Sequence, residues 1–230
     1  MKYTSALIVG AGSGLSAALA RAFMQAGMKV ALAARSADKL AEFVKATGAA
    51  AFNCDAAKRD EVETLFADLD AAKRTPDVVV YNASYRTRGP LIDLDPVEVE
   101  KAIAITAFGG FLVAQAAVRR MLPRGQGAIL FTGASASVKG YAQSAPFAMG
   151  KFALRGLAQS MARELQPKGI HVAHIVVDGG IRSARRTEPP DAPDSLLDPD
   201  AIAASYLHLL QQPRSAWSAE LELRPWMEKF

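Results

Sequence analysis

Short apolar runs of strand length recur along this chain and alternate with longer segments of helical pattern. Ala6–Val9, Val30–Ala33, Ala50–Asn53, Val78–Tyr81, Ala128–Phe131, Val172–Val177 and Leu221–Leu223 read as strands. Between them, Leu15–Ala26, Ala37–Thr47, Arg59–Asp70, Pro96–Met121, Phe147–Gln166 and Pro199–Leu210 carry helical spacing. Such alternation builds βαβ units, because each helix returns the chain to begin a parallel neighbour. Strands covered on both faces are apolar throughout, and Val78-Val79-Val80 has that character. Gly27 and Gly169 stand just past two of the helices, where a left-handed residue commonly ends the helical run. The expectation is α/β: one domain over residues 1–230, with a doubly wound parallel sheet and helices on both faces.

Composition removes several function classes. At 230 residues the chain can bury a sizeable core, and 50% hydrophobic against 22% charged residues excludes a disordered tail. A single cysteine, Cys54, excludes a disulfide framework, and with only His171, His174 and His208 no metal site is expected. The formal charge is +4, but the basic residues are spread and form no polybasic run with interleaved aromatics. No nucleic-acid partner is expected, whereas an anionic ligand fits. Met1-Lys2-Tyr3-Thr4-Ser5 runs directly into a strand-like stretch and lacks the long apolar region of a signal peptide. The longest uncharged run, Ala102–Val118, falls short of a bilayer span and reads as a buried helix, so no membrane association is expected and the location is cytoplasmic.

The segment Leu7-Ile8-Val9-Gly10-Ala11-Gly12-Ser13-Gly14-Leu15-Ser16 takes a strand through a glycine turn into an Ala-rich helix. Glycines let backbone turn sharply and approach a phosphate, and a helix N-terminus offers free N–H groups and partial positive charge. Gly10, Gly12, Ser13, Gly14 and Leu15 are therefore candidate phosphate-binding residues. Strict G-x-G-x-x-G spacing would need glycine at Leu15; Gly10 and Gly14 instead follow T-G-x-x-x-G-x-G, with Val9 for the Thr and Ser16 for the last Gly. Here the sequence resembles the short-chain dehydrogenase/reductase family, which implies a Rossmann fold and nicotinamide-dependent redox chemistry.

The resemblance continues along the chain, over about Leu7 to Ser183. In such folds the end of the second strand meets the adenosine ribose, where an acid selects NAD and an arginine suits the extra phosphate of NADP. This chain has Ala34-Arg35-Ser36 there, so NADP(H) is expected over NAD(H), with Arg35 pairing the phosphate and Ser36 adding a hydrogen bond or capping the next helix. Asn53-Cys54-Asp55-Ala56 resembles the adenine-side segment, which nominates Asp55 and Ala56. Tyr81-Asn82-Ala83-Ser84 resembles N-N-A-G, which nominates Asn82 and Ala83. Val177-Asp178-Gly179-Gly180-Ile181-Arg182-Ser183 resembles P-G-x-x-x-T, with Asp178 for Pro, and nominates Gly179, Ile181 and Ser183.

Family members use a Ser, a Tyr and a Lys, supported by an Asn. The Tyr–Lys pair is spaced Y-x-x-x-K, so that both face one way on a helix. The matching segment is Phe147-Ala148-Met149-Gly150-Lys151: the Lys is kept and the Tyr is Phe, which has no proton to transfer. Thr106 takes the place of the Asn, and Ala134 that of the Ser, with Ser135 one residue later. Candidate catalytic residues are Lys151, Tyr141 in the loop before the helix, and Ser135, with a bound water behind them. The other readings are reduction of an activated C=C bond with less need for an acid, or a regulator or scaffold that binds NADP(H) without turnover. Tyr85, Arg86 and Arg88, with Arg182, Arg185 and Arg186, form an arginine-rich mouth that suits an anionic small-molecule substrate such as a carboxylate or CoA thioester. The proline-rich stretch 183–199 reads as a lid over that mouth or as a variable surface loop. Ala102–Val118 and Phe147–Ala162 carry small and apolar residues that could pack in a homodimer or homotetramer, with Trp217, Trp226, Met227 and Phe230 adding to an interface.

Overall fold

The computed structural model describes residues 3–227. The strands are β1 (Ser5–Val9), β2 (Lys29–Ala34), β3 (Ala50–Asn53), β4 (Val78–Tyr81), β5 (Gly127–Thr132), β6 (Ile170–Val177) and β7 (Glu220–Leu223). All neighbours pair parallel, in the order β3-β2-β1-β4-β5-β6-β7. The chain therefore winds outward from β1 in one direction and from β4 in the other. This is the doubly wound sheet that the alternation predicts.

The helices are α1 (Leu15–Gln25), α2 (Ala41–Thr47, after a 3-10 turn at Ala37–Leu40), α3 (Arg59–Ala71), α4 (Pro96–Ile103), α5 (Gly109–Met121), α6 (Ala145–Leu165) and α7 (Pro199–Gln211). Side chains alternate across a strand, and the two faces of β1 bury separately. Ala6 and Ile8 join the core under α1 and α7, whereas Leu7 and Val9 join the core under α3, α5 and α6. Gly27 and Gly169 have φ of 88° and 87°, so both adopt the left-handed conformation expected past a helix. Asp95 and Asp198 cap α4 and α7, each accepting a backbone N–H two residues on, and each is followed by a proline suited to a first helical position.

One predicted helix proves to be composite. Pro96–Met121 is α4 and α5 joined by a π-helical turn at Ala104–Phe108. The turn brings Thr106 inward, fully buried, where its hydroxyl accepts the Tyr85 N–H at 3.2 Å. Helix α6 presses on it at Gly150, where a Cβ would stand 2.8 Å from the Thr106 Cβ. By length and composition Pro96–Arg124 is apolar enough to cross a bilayer, but 56% of its apolar window is buried inside the protein. The uncharged run is thus core helix, and its continuation through α4 makes it longer than the sequence indicated.

At the C-terminal side, Trp217 stacks flat on His171 with ring centroids 4.7 Å apart. Trp226 and Met227 are exposed, and Phe230 lies outside the described residues. His174, fully buried on β6, places Nε2 3.2 Å from the Ser137 hydroxyl and Nδ1 3.6 Å from Glu220. Burial, partly offset by Glu220, lowers its pKa from 6.5 to about 4. Between those values the unfolded chain binds the extra proton and the native chain does not. Stability is therefore lost as pH falls from about 6.5 through about 4, by up to roughly 3 kcal/mol. Urea unfolding of wild type and His174→Gln across this range should show a steeper acid loss in wild type; parallel curves would refute it.

Candidate functional site

The sheet leaves a crevice where the winding reverses, between the carboxyl ends of β1 and β4. Gly10 ends β1 with φ 84°, and its N–H, like that of Ala11, donates to Ala33 O. A Cβ at Gly10 would lie 2.4 Å from the Ala83 N, so the two strand ends meet at a distance only glycine allows. The turn is held by side chains: Asn82 Nδ2 donates to the Ser16 hydroxyl at 2.8 Å, and Ser16 donates to Gly10 O at 3.1 Å. Ser16, which departs from the glycine pattern, thus ties β1 to β4.

Beyond Gly10 the turn is open. A Cβ at Gly12 or Gly14 would meet no atom within 4 Å. Gly14 precedes α1 without a side-chain cap, and the first turn of α1 carries no acid. Uncapped N–H groups beside open space are what an anion at a helix N-terminus requires, so the residues fit a dinucleotide diphosphate.

Two adjoining cavities, of about 470 and 440 Å³, share Gly10, Gly12, Asn82 and Ser84 and form one groove. The first contains Ser13, Arg35, Ser36, Asp55, Ala56 and Ala83; the second contains Gly14, Leu15, Lys151, Gly179, Ile181 and Ser183. Every candidate cofactor-binding position from the sequence borders this groove. Lys39 does too, a position that the family's motifs do not single out. Its signal was the basic pair Arg35 and Lys39, four apart across a short turn.

Lys151 lies on α6 one turn after Phe147, and both are buried. Its Nζ donates to Thr132 O at 2.6 Å, while the Thr132 hydroxyl bonds Tyr206 at 2.9 Å. Burial, and then the charge of Arg86, bring the ammonium from 10.5 down to about 7. The Arg86 guanidinium sits 4.0 Å above the centre of the Phe147 ring.

The other catalytic candidates go elsewhere. Ser135 donates to the Asp178 carboxylate, which also meets Lys139 at 3.3 Å and Arg224 at 3.4 Å. Burial opposes ionisation of Asp178, but the Ser135 and Lys139 hydrogen bonds keep its carboxyl below the ordinary range. Tyr141 is 49% exposed and hydrogen-bonds Lys139. Neither Ser135 nor Tyr141 borders the cavity of Lys151. The mouth also narrows. Tyr85 hydrogen-bonds Glu98 on α4 and is stacked by Lys101, so it turns away from the groove. Arg182 is paired with Asp198, and Arg88 and Arg185 do not border the cavity. Arg86 and Arg186 do. The segment 183–196 is pinned at its base by the Ile181–Leu197 bridge and by Arg182 N to Leu197 O at 2.9 Å.

Gly10→Ala should unfold the strand junction or destabilise it by about 2–4 kcal/mol, since side chain and φ both conflict; a wild-type melting curve would refute the close approach. For Lys151 the native chain binds fewer protons than the unfolded chain between pH 7 and 10.5. Its burial penalty, at most about 5 kcal/mol, is therefore full below pH 7 and fades as pH rises. Lys151→Met should melt above wild type at pH 6, with the gap closing toward pH 10; a pH-independent gap would contradict this.

Comparison with known proteins agrees with this fold. A solved short-chain dehydrogenase from Rhodopseudomonas palustris is 36% identical, covering 97% of this chain and 99% of its own, with TM-score 0.82. An alcohol dehydrogenase from the archaeon Thermococcus sibiricus, solved with 5-hydroxy-NADP, is 26% identical at TM-score 0.86, covering 98% of each chain. A Staphylococcus aureus protein described as an uncharacterized oxidoreductase is 28% identical over 226 residues, 96% of each chain. The short chain dehydrogenase family profile matches residues 4–191, and the chain belongs to that family of oxidoreductases.

Proposed function

We propose that this chain is an NADP(H)-dependent oxidoreductase that moves a hydride to or from a small carbonyl, alcohol or activated C=C substrate, with a non-standard proton donor. One observation carries the reading. A single groove runs from two basic side chains, Arg35 and Lys39, across an uncapped helix N-terminus to buried Lys151. Those groups match a ligand with a phosphate at one end, a diphosphate in the middle and a ribose–nicotinamide at the other. The Rhodopseudomonas and Staphylococcus relatives, and a metagenomic short-chain oxidoreductase solved with NADP at 28% identity and TM-score 0.83, support it.

When bound, the nicotinamide supplies or accepts the hydride. The chain's own residues do the rest. The α1 N-terminus and Gly12–Gly14 hold phosphate oxygens. Arg35 has no ion-pair partner among the described residues and provides a bidentate donor for the extra phosphate that distinguishes NADP. No acid stands at that strand end to prefer NAD. Lys151, lowered to about 7, holds the ribose and can give up a proton near neutrality. Phe147 contributes only its ring, which takes the place of the family's Tyr.

The regulator reading stands second. It is favoured by the placement of Ser135 and Tyr141 away from Lys151. On either reading Phe108 and Phe111, stacked at 6.1 Å, and exposed Met149 and Phe152 offer α5 and α6 to a second copy of the chain. Calorimetry should give tighter NADPH than NADH binding. Arg35→Ala should weaken NADPH by about 10–100-fold and leave NADH nearly unchanged. Equal affinities, or an unchanged preference in the variant, would overturn the cofactor choice. Incubation of C4-deuterated NADPH with carbonyl and enoyl panels should move deuterium into product; tight binding without transfer would favour the regulator.

A further inference from the structure

The cations around the mouth of the groove are not treated alike. Arg182 is committed to Asp198 and Glu188, and Lys139 and Arg224 converge on Asp178. Arg86 and Arg186 border the same cavity as Lys151, yet no carboxylate lies within ion-pair distance of either among the described residues. Both nevertheless have close neighbours in the cavity wall. Arg86 places its guanidinium carbon 4.0 Å from the centre of the buried Phe147 ring, a cation–π contact that takes up none of its N–H donors. Arg186 folds back over the loop after β6: a Cβ at Gly180 would come within 2.7 Å of its Nη1. Loss of hydration, and then the charges of Arg88 and Arg186, lower the pKa of Arg86, so these like charges feel one another. Uncompensated guanidiniums gathered at a pocket wall repel each other until an anion arrives.

We propose that Arg86 and Arg186 form a two-guanidinium clamp for one carboxylate of the substrate, making it a small acid whose reactive carbonyl, alcohol or C=C lies near that carboxylate. The second half of the statement rests on the oxidoreductase reading above; the anion site does not. A carboxylate is favoured because its two oxygens match the planar fork of each arginine. The diphosphate already has the α1 N-terminus. The cavity of about 440 Å³ also takes the nicotinamide end of the dinucleotide, which leaves space there for a short acid only.

The test is titration calorimetry on the full chain, with and without NADP, using 2-oxobutyrate, acetoacetate and crotonate beside their methyl esters. At least one acid should bind with an affinity of about 1 mM or tighter, and its ester should not. Arg86→Gln and Arg186→Gln should each weaken that acid about tenfold or more, Arg86→Lys should retain part of the affinity, and NADP affinity should stay within about twofold of wild type. Melting temperatures at or above wild type would show that the exposed substitutions preserve the fold. The clamp is overturned if no acid binds, if acid and ester bind alike, or if the Gln variants bind the acid as wild type does. It is equally overturned if those variants lose NADP instead, which would make the arginines diphosphate ligands. Acid binding by a wild-type chain that binds no NADP would sink the redox reading and leave the clamp standing.

Discussion

The close approach of Gly10 to Ala83 is the constraint on which the rest of the molecule depends. Parallel strands running outward from β1 and β4 leave a crevice between their carboxyl ends, but its width is not set by topology. It is set by an absent side chain at Gly10, by the left-handed backbone there, and by the Asn82–Ser16–Gly10 hydrogen bonds that tie the two strand ends. With that junction fixed, α1 starts where its free N–H groups face the groove. The loops after β4 and β6 then fall on either side of the same opening.

Much of this was legible in the sequence, for a physical reason. Strands buried on both faces have to be apolar, and helices on a sheet have to be amphipathic, so the period of the pattern declares the element. The glycine turn was legible because backbone geometry restricts it to one residue type. What escaped was the direction of side chains in loops. Ser135 is captured by Asp178 from another βα unit, Tyr85 by Glu98, and Arg182 by Asp198. Each pairing depends on loop conformations that no periodicity encodes. Asp178 standing where the family commonly has Pro was the visible sign that this loop is built differently. The π-helical turn at Ala104–Phe108 was also hidden, since it leaves the apolar spacing of α4 and α5 almost continuous.

Along the groove, several cations are gathered without carboxylates to pair them among the described residues. Elsewhere, several half-buried cations meet carboxylates: Arg120 with Asp70, Arg124 with Asp77, Arg155 with Glu220. Along the groove, Arg35, Arg86, Arg186 and Lys151 have none among the described residues, and Lys151 is also stripped of water. A chain that keeps unpaired cations on one surface gives up stability there, and binding sites are where such a sacrifice is ordinarily found. Opposite charge brought by a ligand relieves the repulsion, so occupancy and folding stability are thermodynamically linked.

The clasp formed by Ile181, Leu197, Arg182 and Asp198 has an evolutionary consequence. Because the two feet of the loop are fastened to each other, the arch between them works as an exchangeable cassette. Its length and chemistry can drift without transmitting strain into the sheet, since loop closure costs rise only slowly with length. Selection could therefore retune which molecules this scaffold admits by rewriting the arch alone.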